Sequence, residues 1–343
     1  MKQKRIVNYD VLNILAIIAV IFLHHNGLVH TYSTDRNWKT ALIFETIFYW
    51  AVPVFIMLSG ANLMNYRKKY DTKTFFKKRV MKVVIPFIFW SVFQIIWKVN
   101  LGRLTLEYNI KNIINIIFTN QQETTYYFIF IILGIYLTMP VLSLLTEKKN
   151  RKMLWYIVLI MFITKSVLPV TLDLLGIYYN SNLSIFFDGY LIFVILGYLL
   201  STMKMEKKNR IIIYILGIIS CFIRYFGTFI LSTKNGVLDK TFFGYTQFHS
   251  VFLAVAVFIF IKQIDFEKII KQEKIKKILI KVSSCSFGVY LIHLIVKSCE
   301  VKLFGINELS IWWRTVGVFL TYIISLLAVL IMKKIPILKK FVP

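Results

Sequence analysis

Acidic residues are scarce: 16 Asp and Glu stand against 42 Lys and Arg, a formal net charge of +26 over 343 residues. An excess of that size would suit a nucleic-acid partner, but its distribution excludes one. The basic residues fall in short segments between alternate apolar stretches: RKKYDTKTFFKKR (67–79), EKKNRK (147–152), KMEKKNR (204–210), the run from Lys262 to Lys281, and KKIPILKK (333–340). With the N-terminus set in the cytoplasm, about 30 of the 42 lie on that side, the positive-inside pattern of a polytopic membrane protein. Cysteine is nearly absent too. Cys221, Cys285 and Cys299 are scattered and odd in number, which excludes a disulfide framework and suggests no metal site. Also missing are a Walker loop, a G-x-S-x-G elbow, an H-E-x-x-H pair and a dinucleotide fingerprint. There is no internal repeat, low-complexity tract or soluble domain. The basic start (Lys2, Lys4, Arg5) and the apolar run after it lack a small-residue cleavage motif, so they read as an uncleaved first span.

What the chain has is apolar sequence: 58% hydrophobic residues and a mean hydropathy of +0.68, more than a soluble core needs. Stretches of bilayer length recur from end to end. They predict an all-α polytopic bundle of about ten transmembrane helices near 9–29, 40–64, 80–99, 126–145, 153–172, 184–203, 210–232, 247–264, 283–300 and 311–332. An even number places both termini in the cytoplasm, and residues 1–343 form a single domain. Helical spacing of Ile110, Ile113, Ile114 and Ile117 predicts an interfacial helix in the outer loop. Ile269, Ile270 and Leu279 opposite many lysines predict a second on the inner side.

Within the first span, Asp10, Asn13 and His24 form a polar stripe. Asn13 and His24 are about 20° apart in azimuth, and Asp10 lies about 40° from His24 and about 21 Å along the axis. Ionisable groups at membrane depth are costly and mark sites or pathways. A histidine there can serve as a general base, or can rest at the interface while Asp10 caps the helix. In span two, PVFIMLSG (53–60) holds Pro53, which loosens the helix, and Ser59-Gly60, a small polar surface suited to close packing. Glu45 precedes it and faces a cavity or the outer surface. Arg79 and Lys82, at i and i+3 before span three, can grip a phosphate-bearing ligand or simply anchor the helix. In span nine, Ser286, Tyr290 and His293 share one face, where they line a cavity or bond across helices. Gln94, Asp188, Arg224, His249 and Glu300 are further polar residues within spans, and nothing local assigns them a role.

These segments, in this order, resemble the acyltransferase-3 family of integral membrane proteins, which includes bacterial O-acetyltransferases of surface polysaccharides. The family's opening D-x-x-R segment, followed by ten residues and His, is matched by Asp10, Asn13 and His24. PVFIMLSG resembles its F-x-S-G segment, KKRVMKVVIPF its basic segment, and SFGVYLIH its S-x-Y-x-x-H ending. YYFIFIILGIYLTMP (126–140) and FDGYLIFVILGYLL (187–200) resemble two further spans. The chain departs at Asn13, where the family carries arginine, and at Lys82, the second of its paired arginines.

The resemblance implies a membrane-bound O-acyltransferase in a bacterial cell membrane. Acetyl-CoA or another acyl-CoA would act as donor from the cytoplasm, with its phosphates on Arg79 and Lys82. The acceptor would be a hydroxyl of a cell-surface glycan or lipid-linked sugar. His24 would deprotonate it or carry the acyl group, helped by Asp10 and Asn13, and Ser59, Glu45, Tyr290 and His293 would shape the cavity. No metal is expected, the lipids of the membrane are its surroundings, and the oligomeric state is not readable. A transporter or exporter of the same fold is the alternative reading, and a silent scaffold for polysaccharide assembly a third.

Overall fold

The computed structural model describes residues 6–107, 109–184 and 189–343; Asp188 and the first five residues lie outside them. Regular structure among the described residues is entirely helical, as it must be where no water is present to satisfy peptide groups. In order, the helices are α1 (Val7–His25), α2 (Arg36–Phe48), α3 (Ala51–Leu63), α4 (Thr72–Arg79), α5 (Ile85–Asn100), α6 (Ile110–Phe118), α7 (Tyr127–Leu144) and α8 (Arg151–Met161). They continue as α9 (Leu168–Leu174), α10 (Leu191–Thr202), α11 (Lys207–Asn235), α12 (Phe248–Gln263), α13 (Phe266–Ile269), α14 (Glu273–Ser283), α15 (Ser286–Phe304) and α16 (Ile311–Met332). Among the described residues, seven helical stretches are long and apolar enough to cross a membrane, or eight if α14 and α15, bent by 59°, count as one. The chain is a multi-pass membrane protein. Each of the ten expected spans falls on an apolar helix, but α10 (12 residues) and α12 (16 residues) are shorter than a crossing requires. Twelve residues rise only about 18 Å against a hydrocarbon core of about 30 Å. Most side chains of both helices are buried, so their length is set by protein neighbours rather than by lipid.

Proline sets the breaks. Span two divides at Tyr49–Trp50, and Pro53 sits in the first turn of α3, where a missing N–H costs little. Pro86 and Pro169 each follow a π-turn, at Val80–Val84 and at Phe162–Val167. A proline inside a continuous helix clashes with the carbonyl four residues back, and the wider turn relieves that clash.

Two close approaches hold the centre. A Cβ on Gly60 would lie 1.9 Å from the Val194 carbonyl oxygen, and one on Gly197 would lie 2.0 Å from that of Met57. Helices α3 and α10 therefore meet backbone to backbone, as small residues permit in membranes. At one end of the bundle, Asn8 donates to the carbonyls of Ile261 (2.8 Å) and Ile264 (2.6 Å), Lys262 caps Met203 (2.6 Å), and Arg210 pairs with Gln263. The start of α1, the end of α12 and the α10–α11 turn thus share the basic end of the molecule. The end of α1, with His24, lies at the opposite end. The predicted interfacial helix forms as α6, with Ile110, Ile114 and Phe118 exposed. The inner one forms as two pieces, α13 and α14.

Candidate active site

At the His24 end a cavity of about 420 Å³ opens among α1, α2, α3, α7, α15 and the loop before α12. His24, His30, Glu45, Tyr290 and Lys240 supply its polar groups. Tyr49, Tyr127, Tyr245, Phe55, Phe128 and Phe243 supply aromatic walls. Tyr49 and Tyr245 stack with centroids 4.0 Å apart and planes 3° from parallel. Aromatic faces beside a few convergent polar groups suit a hydroxylated ring such as a sugar.

Two helices place the histidine. His24, one residue from the end of α1, is half-buried. Its Nδ1 is 2.7 Å from Nε2 of His293 on α15. Lys297, one turn further along α15, donates to the His24 carbonyl at 3.2 Å, a cation at a helix C-terminus where the dipole favours one. The Tyr290 hydroxyl donates to the Thr125 carbonyl, and Tyr126 donates to that of Leu291 at 2.8 Å. These reciprocal bonds clasp the start of α7 to α15 beside His24.

The opposite wall carries a buried ion pair. Glu45 lies 3.6 Å from Arg224, whose side chain is 1% exposed. The guanidinium sits 3.3 Å from the Tyr49 ring centroid and 4.7 Å from that of Phe243, and it donates to the Phe242 carbonyl at 3.0 Å. Arg224 thus holds an acid and two aromatic rings of the cavity in place. Removing one member of such a pair leaves an uncompensated buried charge, which costs about 3–5 kcal/mol.

The other residues singled out from sequence lie elsewhere. Asp10 is buried about 21 Å down the axis from His24. Asn13 donates to the carbonyl (2.9 Å) and hydroxyl (3.2 Å) of Ser283, where α14 ends and the chain bends into α15. The shared azimuth is real, but depth separates these two from the cavity. Ser59 returns its hydroxyl to Phe55 in its own helix at 3.1 Å and is not a wall residue. Ser286 is buried one turn below Tyr290. Arg79 packs over the rings of Phe75 and Tyr136 at the basic end. Lys82 lies in the π-turn, which winds less per residue than an α-helix, so the pair is splayed: Arg79 is half-buried and Lys82 exposed. Among the described residues no His, Cys, Asp and Glu group could hold a metal ion.

A family model described as an acyltransferase domain, that of the acyltransferase-3 family, matches residues 6–330. The chain belongs to the acyltransferase-3 family. Nothing among curated proteins or solved structures matches it. Membership makes this membrane protein one of a family of acyltransferases, and it gives the cavity beside His24 a chemistry to be tested against. Sequence reasoning singled out His24, Glu45 and Tyr290 of that cavity in this acyltransferase-3 protein, but not its other walls. Tyr49 sits at the break that divides the expected second span, and Tyr245 in the join before α12, where helical periodicity assigns no face. Lys240 and His30 lie between helices that carry the expected spans, where nothing local assigns them a role. Arg224 gave a signal, a charge within an apolar span, but its partner Glu45 lies 179 residues earlier in the chain.

Proposed function

We propose that the protein transfers an acyl group, acetyl in the simplest case, from a cytoplasmic CoA thioester to a hydroxyl of a cell-surface polysaccharide or lipid-linked glycan. The setting is the plasma membrane of a bacterium, with both termini and the basic end of the bundle in the cytoplasm. The observation that carries this is a histidine of α1 lining an aromatic cavity at the end opposite the lysine clusters. In the reaction, the acceptor O–H gives its proton to His24 while its oxygen bonds to the acyl carbon. The C–S bond breaks, and the proton passes from His24 to the thiolate. Arg79 suits the donor's phosphates: its Nε is buried with no hydrogen-bond partner among the described residues, and exposed Lys77 and Lys78 flank it. Tyr136 beneath Arg79 and Tyr127 in the cavity are nine residues apart on α7, about 14 Å along the axis. A pantetheine arm extended between those levels joins the two ends.

The test uses everted membrane vesicles supplied with radiolabelled acetyl-CoA, together with ester analysis of the surface glycan from cells with and without the protein. Label in the glycan, present only with the protein, is expected. Arg79→Gln combined with Lys82→Gln should raise KM for the donor about tenfold, the worth of one charge-assisted hydrogen bond. An unchanged ester content with altered glycan export would replace this reading with transport.

A further inference from the structure

His293, expected to shape the cavity, is not among its lining residues; it is buried behind His24. Its Nδ1 faces two backbone carbonyls of its own helix, Tyr290 at 2.7 Å and Val289 at 3.2 Å. A carbonyl only accepts, so Nδ1 of His293 carries a proton. In the neutral ring the other nitrogen, Nε2, then has a lone pair and no proton. That lone pair meets Nδ1 of His24 at 2.7 Å, which makes His24 Nδ1 the donor. The two ring centroids are 4.9 Å apart with planes 14° from parallel. A centroid separation of about 5 Å is what two imidazoles give when they share an in-plane N–H···N bond edge to edge. The rings are therefore aligned end on rather than face to face, and the donor points along the acceptor's lone pair. The relay runs Tyr290 carbonyl, His293, His24, and among the described residues it leaves one ring nitrogen uncommitted: Nε2 of His24.

We propose that His293 is a positioning residue that fixes His24 as its Nδ1–H tautomer and so presents Nε2, unprotonated, to the acceptor hydroxyl. The proposal rests on His24 acting as the base in acyl transfer. When Nε2 takes the hydroxyl proton, the Nδ1–H already points at His293 Nε2, and the positive charge is shared between two rings with no heavy atom moving. The proton then leaves from His24 Nε2 to the thiolate, so the dyad ends each cycle as it began. His25, one residue on, cannot substitute, because both its ring nitrogens are engaged elsewhere, with the Trp313 carbonyl and the Thr321 hydroxyl at 3.1 Å each.

The experiment is nitrogen NMR of the full-length protein in lipid nanodiscs with 15N-histidine, alongside acyl transfer from acetyl-CoA by the same preparations. With five histidines, the His24 and His293 signals are assigned by their loss in His24→Gln and His293→Gln. Wild type should show protonated Nδ1 and bare Nε2 on both rings, with a coupling across the shared N–H···N bond. His293→Leu removes the acceptor. Transfer should fall about 10²-fold or more, and the His24 signal should move toward the Nε2–H form. His293→Gln places an amide oxygen where Nε2 was, and it should recover transfer to within about tenfold of wild type with the Nδ1–H signal restored. A wild-type His24 protonated on Nε2 overturns the proposal whether or not the Leu variant folds. So do Leu and Gln variants of equal activity. An Nδ1–H His24 in a wild-type protein that transfers no acyl group upholds the dyad and overturns the proposed function instead.

Discussion

His24 and His25 are neighbours in the chain, but α1 turns them about 100° apart and into two different interiors. His24 lines a cavity and has one nitrogen committed. His25 is buried against Trp313, at 4.6 Å between centroids, with both nitrogens bonded. The polar groups around His25 bond largely to one another. Thr321 bonds onward to Glu300. Asn26 donates to the Phe22 and Arg314 carbonyls at 2.9 and 3.1 Å. Arg314 donates to the Asn37 carbonyl (2.9 Å) and to Thr40 (2.9 Å), tying α16 to α2. In a membrane a polar side chain either joins such a network or faces a cavity. The same residue type is therefore a structural part on one face of α1 and a chemical group on the next.

The comparison breaks first at His24. His24→Ala should lower acyl transfer by about 10²–10⁴-fold, the usual cost of losing a general base. Its thermal transition should stay close to wild type, because only one side-chain hydrogen bond is lost. Ester content of the surface glycan per unit of membrane protein measures the first, and a melting curve in detergent the second. An active His24→Ala protein would end the mechanism.

His25→Ala should show the reverse pattern. It leaves Thr321 and the Trp313 carbonyl short of a partner and opens a hole beside the indole. The expected loss is about 2–4 kcal/mol of stability, read as a lower melting transition and less folded protein. Transfer per folded molecule should be unchanged. Equal losses of specific activity from both variants would mean that the two faces of α1 do not divide the work as described.

Much of this division was legible in the sequence, and the reason is geometric. Apolar runs of bilayer length gave the helices, because a membrane leaves the backbone few other choices. Azimuth put Asp10, Asn13 and His24 on one face of α1 before any contact was known. Depth was legible but outweighed: Asp10 and His24 lie about 21 Å apart along one helix, yet the shared azimuth grouped them, with Asn13, at one site, and the cavity takes only His24 of the three. What could not be read was which distant residue each polar group meets. His24 and His293 are 269 positions apart, and single-helix periodicity says nothing about the rotation of one helix against another. Nor could it read Tyr49 and Tyr245, which stack from two helix joins. The π-turn that splays Arg79 from Lys82 left only the proline after it as a trace.

Asn13 sharpens the comparison at the far end of the same stripe. Its amide donates to the Ser283 carbonyl, one of the orphan acceptors where α14 stops and the chain bends before α15. Lys333 serves the next carbonyl, that of Ser284, at 2.9 Å. Asn13→Ala should cost about 1 kcal/mol of stability, the net worth of one hydrogen bond, with transfer per folded molecule unchanged. A loss of turnover as large as that from His24→Ala would show that the lower stripe belongs to the chemistry after all.

The smallest effect should come from Ser59, which shares the small polar patch with Gly60 but not its tight contact. The Ser59 hydroxyl donates to Phe55 one turn back, a carbonyl that a helix already supplies with a backbone donor. Removing it leaves nothing unpaired. Alanine is also the best helix former, so the backbone loses no preference. Ser59→Ala should therefore change stability by no more than about 0.5 kcal/mol. It should also leave both KM and kcat for acyl transfer at wild-type values, because the hydroxyl does not face the cavity. Steady-state kinetics with acetyl-CoA as the varied substrate decides the matter. A raised KM would place Ser59 on the donor's path between Arg79 and His24, and the cavity would then extend past α3 toward the basic end.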